Sequence, residues 1–375
     1  MLYRYLYIDD LLADSSEESS EAPKSLASGL SKDGIEVIYK HVFDFDSEDF
    51  IINHLSEYDG LLLDLRLDEY KDKDGKHSKF TATEFAQHIR TLVTKGKEDG
   101  GIDKDLPIVL FSTDDKLKQV YATDLSSHNL FDRYVTKFKT PEDASKKLFS
   151  LTKGYEEISL NKTNLEVLLG IETLTDLDSR IFARFSQNPE QIPVHEYAQV
   201  ILKDLIYITG PLINEDILAA RLGVDKEKSS IEDWNKLKEM FSDSKYNGAF
   251  CDGWDRWWMF QINNIFETLM NTYLSYLDAN EKIELFKEKF SLVGLIAAER
   301  IKLNNSKRYT TICKAFEKPL DEIEGFRIYT SREPKQWQEY EYASLEAFAT
   351  GKVDEKKIKV HIDDKNRLIE ALEEL

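Results

Sequence analysis

The sequence predicts an α/β protein: a five-stranded parallel sheet over residues 1–152, then a mainly α-helical domain over 156–305, then a small mixed α/β part over 306–375. Three observations predict it. Five short apolar runs alternate with helix-like segments in the first part. Those runs are continuous rather than alternating, as in strands buried on both faces. After about residue 155 the alternation gives way to long stretches with apolar residues at helical spacing.

Each element has its own signal. "LYRYLYI" (2–8) is the first strand, followed by Asp9 and Asp10. The acidic, breaker-rich "LADSSEESSEAPKS" (12–25) reads as a solvated loop. "LASGLSKDG" reads as a helix ending at Gly34, and "IEVIYKHV" (35–42) as the second strand. "DSEDFIINHLSEY" (46–58) opens with an N-cap and reads as a helix. "GLLLDL" is strand three, and "DEYKDKDGKHSK" (68–79) is a charged loop. "TATEFAQHIRTLV" (81–93) carries a capping box, Thr with Glu three positions on. "LPIVLFS" (106–112) is strand four, "DDKLKQVYATDL" a helix and "DRYVTKF" (132–138) strand five. "TPEDASKKLFSL" (140–151) has Thr as N-cap and Pro at the first helical position.

The 375 residues exceed one typical domain, and 20 Phe with 18 Tyr argue for packed cores despite a charged fraction of 32%. A net charge of −20 repels phosphate backbones and anionic lipid, which disfavours nucleic acid and membrane surfaces as partners. No apolar run approaches the ~20 residues of a membrane helix, and "MLYRYLYIDD" is too short and acidic for a signal peptide. Cys251 and Cys313 are far apart and read as buried apolar groups. A reducing cytoplasm is the expected setting. With no CxxC or HExxH and scattered histidines, zinc has little support.

The chemistry gathers at the strand ends. Asp9 and Asp10 follow strand one, Asp64 ends strand three, Ser112 ends strand four and Lys137 ends strand five. In a parallel sheet all of these carboxyl ends face one crevice. Three carboxylates in one crevice repel each other unless a cation joins them. Mg²⁺, a hard ion that takes carboxylates, a carbonyl and waters, meets that need. A hydroxyl and an ammonium opposite it would bind phosphoryl oxygens, and a carboxylate could then attack phosphorus. Taken singly, Asp64 is as well explained as a turn residue or cap, Ser112 as a satisfied hydroxyl, Lys137 as a surface charge and Tyr134 as core.

This set resembles the receiver domain of two-component response regulators, over roughly residues 1–152. The acidic pair in "YIDD", the acceptor Asp in "LLLDL", the Ser in "PIVLFST" and the aromatic-then-Lys in "DRYVTKF" carry the resemblance. It implies a flavodoxin-like sheet of order 2-1-3-4-5. It implies that Asp9 and Asp10 hold Mg²⁺, with Asp64 and the carbonyl of Arg66 completing the shell. Asp64 would accept phosphate from a histidine kinase or phosphotransfer protein, Ser112 and Lys137 would contact the phosphoryl oxygens, and Tyr134 would be the aromatic that changes rotamer. The sequence departs from the family in lacking Met-Pro after Asp64, in having Phe138 after the lysine, and in lengthened loops beside the crevice. Lengthened acidic loops would slow or block docking of a kinase.

The second half carries weaker signals. "LEVLLGIETLTDLDSRIFARFS", "PVHEYAQVILKDLIYITG", "INEDILAARLG", "SIEDWNKLKEMF", "WDRWWMFQINNIFETLMNTYLSYL" and "EKIELFKEKFSLVGLIAAERIK" read as helices. Residues 214–241 have the outline of a DNA-binding helix-turn-helix, with Ala219 and Gly223 correctly separated. Glu232 and Asp233 at the start of its second helix, and Ser229 where an apolar anchor belongs, oppose that reading. Trp254, Trp257 and Trp258 continue into an apolar stripe that reads as bundle core. "TICKAFEKPLDEIEGFRIY" reads as a metal-free hairpin region, "GFRIYTS" and "KIKVHI" as strands, and "DDKNRLIEALEEL" as a closing helix. No catalytic set appears after residue 155. The expectation is a signalling protein whose receiver controls how a helical output domain meets a protein partner. A transcription factor and a phosphorylation-independent pseudo-receiver scaffold are the alternatives.

Overall fold

A computed structural model describes residues 1–11, 23–45, 54–71, 75–78, 81–112, 129–137, 143–330 and 333–375. The expected loop at 12–22, residues 46–53 of the expected second helix, the expected helix at 114–125, Phe138 and the helix start at Thr140–Pro141 lie outside these residues. The chain forms two compact units. One comprises Met1–Thr175, Ser179–Lys203 and Asn247–Trp254; the other comprises Asp176–Asp178, Asp204–Tyr246 and Asp255–Leu375.

The first unit is built on five parallel strands in the order β2-β1-β3-β4-β5, the order of a flavodoxin-like sheet. They are β1 Tyr3–Asp9, β2 Ile35–His41, β3 Gly60–Leu63, β4 Ile108–Ser112 and β5 Arg133–Thr136. Burial explains the continuous apolar runs: β3 and β4 are buried at every residue. Side chains alternate between faces. Leu6 and Ile8 pack into one cluster with Leu61, Leu63, Phe85 and Ile89. Tyr3 and Tyr5 go to the other face, where Tyr3 meets Phe149 at 5.0 Å and the Tyr5 hydroxyl donates to the Leu148 carbonyl at 2.8 Å.

The helices follow local rules with some shifts. α1 (Pro23–Leu30) stops short of Gly34, which lies in the turn into β2. Residues Leu55–Glu57 form a single 3₁₀ turn. α2 (Ala82–Lys95) opens with the expected capping box of Thr81 and Glu84. α3 (Ala144–Asn161) runs through the boundary expected near 155. The stretch from 165 holds only a short α4 (Leu165–Leu169), stopped at Gly170, and 3₁₀ turns beyond it, so the long helix expected there is corrected. α5 (Val194–Gln199) continues as a π-helix to Ile206.

In the second unit β6 (Leu212–Ile213) leads into α6 (Glu215–Leu222), and α7 spans Ile231–Met240. Gly223, at φ +74°, ends α6 in a left-handed cap that only glycine adopts without strain. The helix-turn-helix outline does not hold. Instead of a tight turn, the connection runs alongside a distant strand-like segment: Val224 bridges Ala297, and the Asp225 amide donates to the Ile296 carbonyl at 2.9 Å. Ser229 is buried and accepts from the Ile296 amide at 2.9 Å, which is why no apolar anchor stands there.

The tryptophan stripe is also re-read. Trp257–Trp258 is a short strand, β7, paired with β6, and the helix α8 begins only at Met259 and ends at Met270. α9 (Ala279–Phe290) ends where Ser291 turns left-handed, so "SLVGLIAAERIK" does not extend it. β8 (Thr311–Cys313) and β9 (Lys318–Leu320) form the expected hairpin. With β10 (Gly325–Arg327) and β11 (Tyr342–Ser344) they make a four-stranded sheet. "KIKVHI" contributes only an isolated bridge from Val360 to Ile328, and the chain closes with helix α12 (Lys365–Glu373) after the short helices α10 (Leu345–Ala349) and α11 (Lys352–Glu355).

Candidate functional site

The site forms where the strand order reverses between β1 and β3, the place where open parallel sheets leave a crevice. Asp9 closes β1. The Asp64 amide donates to the Ile8 carbonyl at 3.0 Å, which carries the β1–β3 ladder one step past the apolar run. Asp9, Asp10 and Asp64 are all buried, and one oxygen from each lies within 4.8 Å of the others. These three acids could hold a divalent metal.

Lys137, just beyond β5, reaches back over the sheet. Its ammonium lies 2.7 Å from Asp9 Oδ2 and 2.6 Å from Asp64 Oδ1, with the rings of Tyr7 and Phe111 at 5.8 and 6.0 Å. Backbone amides hold three of the remaining oxygens. Leu11 donates to Asp9 Oδ1 at 3.0 Å and Arg66 to Asp64 Oδ2 at 2.8 Å. Glu69 and Tyr70 both donate to Asp10 Oδ2, at 2.6 and 2.7 Å. The loop after Asp64 therefore folds over Asp10 and clamps it.

Charge arithmetic favours a further cation. At an effective dielectric of about 20, two like charges 4.8 Å apart repel by roughly 3 kcal/mol. Among the described residues a single ammonium, that of Lys137, touches two of the three carboxylates. Burial, then the charges of Asp9 and Asp64, pushes the Asp10 carboxyl up to about 6 against the pull of its two amide donors. Burial also raises Asp64, opposed by Lys137 and reinforced by Asp9. Burial alone would lower Lys137, but the two carboxylates outweigh it and hold the ammonium above its usual range.

The other expected residues are placed as follows. Ser112 is fully buried at the end of β4, and its Oγ has no hydrogen-bond partner among the described residues. Arg66 touches the site through its amide, while its guanidinium pairs with Asp68 at 2.9 Å. Tyr134 is 57% exposed on β5, an edge strand of the sheet. One residue escaped the sequence reading. The Tyr7 hydroxyl donates to Asp9 Oδ2, the same oxygen that Lys137 contacts. The signal was available: Tyr7 and Asp9 are two apart in one strand, so they share a face.

Comparison of the chain with protein-family models, and with curated proteins, returns no match.

Proposed function

We propose that the chain is a signalling switch of the two-component type, with a receiver in its first unit. The support is the single geometry of Lys137, which sits between Asp9 and Asp64 at the carboxyl end of a 2-1-3-4-5 sheet. The residue set fits Mg²⁺: all donors are hard oxygens, and the buried carboxylates carry more negative charge than one lysine balances. Asp9, Asp10 and Asp64 would hold the ion, which would offset the charge of an incoming phosphoryl group.

The chain's own residues do the rest. An Asp64 carboxylate oxygen attacks the phosphorus of a phosphohistidine or of acetyl phosphate. The new O–P bond forms as the bond to the leaving group breaks, and a leaving imidazole takes up a proton. Lys137 exchanges Asp64 for a phosphoryl oxygen, and the Ser112 hydroxyl, which has no partner among the described residues, gains an acceptor. The partners are a histidine kinase or phosphotransfer protein and a protein that meets the second unit.

The clamp on Asp10 by Glu69 and Tyr70 favours a second reading, a scaffold that is never phosphorylated. Acetyl phosphate with Mg²⁺ separates them by intact-mass measurement. One phosphoryl group gained, and lost in Asp64→Asn, supports the switch. No adduct from acetyl phosphate or phosphoramidate sinks the switch and leaves the scaffold.

A further inference from the structure

The cation site rests on the reading above, and one further residue bears on it. Asp9 Oδ2 accepts from two donors, the Lys137 ammonium and the Tyr7 hydroxyl, while Asp9 Oδ1 accepts only from the Leu11 amide among the contacts of the described residues. When Lys137 leaves for another acceptor, Tyr7 and Leu11 remain to hold the carboxylate. We propose that Tyr7 is a positioning residue for a divalent cation: its hydroxyl pins the Asp9 carboxylate, so that the place Lys137 vacates is presented to the ion.

Two observations carry this. Tyr7 is fully buried, and its ring is fixed edge-on between Tyr39 at 5.9 Å and Phe111 at 5.3 Å, so the hydroxyl has no route to water. Strand geometry places Tyr7 and Asp9 on one face, which makes the contact a property of β1 itself. A hydrogen bond that orients a metal-binding carboxylate commonly governs affinity by about ten- to a hundredfold.

The test is calorimetric titration of the full chain with Mg²⁺ and with Mn²⁺. Tyr7→Phe keeps the ring and its edge contacts, and thermal unfolding in EDTA checks that it is folded. It is expected to weaken cation binding by about tenfold. Tyr5→Phe is the matched control, since it is a buried tyrosine of the same strand whose hydroxyl donates to the Leu148 carbonyl at 2.8 Å; it should bind as the parent does. In an Asp9→Asn background, Tyr7→Phe should cause no further loss, an outcome that general loosening of the fold would not give. Equal or tighter binding by Tyr7→Phe, or an equal loss in Tyr5→Phe, overturns the proposal alone. A parent chain that binds neither ion overturns both this proposal and the metal part of the switch.

Discussion

Arg90 and Asp132 form a buried ion pair, Nη2 to Oδ2 at 3.0 Å, that ties α2 to the start of β5. Arg90 Nη1 also holds Asp105 at 2.9 Å, and the Tyr155 hydroxyl donates to Asp132 Oδ1 at 2.8 Å. Burial alone would raise the Asp105 carboxyl, but hydrogen bonds from His195 and the Arg90 charge hold it below its usual range. Removing the arginine takes its charge away from two buried carboxylates. Arg90→Met should cost roughly 3–5 kcal/mol in urea unfolding of the first unit. A loss below about 1 kcal/mol would mean that water reaches the pair.

Residues 247–254 pack on α3 through a close approach. Phe250 lies over Gly154, where an added Cβ would come within 2.2 Å of the ring, and Phe250 itself is buried at φ +71°. The Ser150 hydroxyl anchors the segment by donating to the Phe250 carbonyl at 2.8 Å. Gly154→Ala should destabilise by about 1–3 kcal/mol, although alanine is the better helix former by about 1 kcal/mol. The steric origin is checked in a Phe250→Ala background, where the same change should be neutral or stabilising.

Lys282 gives the second unit a pH dependence. Burial lowers its ammonium to about 8 from an ordinary 10.5, while Nζ donates to the Arg221 carbonyl at 2.8 Å. Between about pH 8 and 10.5 the unfolded chain holds a proton that the folded chain has released, so stability rises with pH across that window. Below pH 8 the full cost of the buried charge is present. The rise amounts to roughly 3 kcal/mol. Denaturant unfolding of the parent and of Lys282→Met at pH 8 and 10.5 isolates it: the difference between them should narrow as pH rises. A difference independent of pH would show that Lys282 is not the group.

The sheet was legible because buried parallel strands leave unbroken apolar runs, and Asp9 and Asp64 were legible because a carboxylate ends such a run abruptly. What failed depended on distant partners. "KIKVHI" has strand-like residues, but its pairing stops at one bridge, Val360 to Ile328, made by the Lys359 carbonyl and the His361 amide. Trp257 and Trp258 fit a helical stripe, yet pairing with Ile213 and Leu212 makes them a strand. Apolar residues after 165 suggested one long helix, and Gly170 ended it after five residues. Tyr7 was hidden by its neighbours: among Tyr3, Tyr5 and Leu6 it reads as one more core aromatic, and only the strand's alternation puts its hydroxyl on Asp9.

Asp10 separates stability from function. Its carboxyl titrates at about 6, above its ordinary 3.8, because burial and two neighbouring charges disfavour the ionised form. Between about pH 4 and 6 the folded chain holds a proton that the unfolded chain has lost, so stability falls as pH rises and the penalty is complete above 6. Asn at this position can still accept from the Glu69 and Tyr70 amides while carrying no charge. At pH 7 in EDTA, Asp10→Asn should therefore be more stable than the parent by about 1–2 kcal/mol, below the full shift because nearby water screens the charge. Millimolar Mg²⁺ should reverse the order, since an ion that binds only the folded parent adds stability with its concentration and the variant gains nothing. Melting both proteins with and without Mg²⁺ checks this. A parent that is already the more stable in EDTA would mean the carboxylates repel too little to call for a cation.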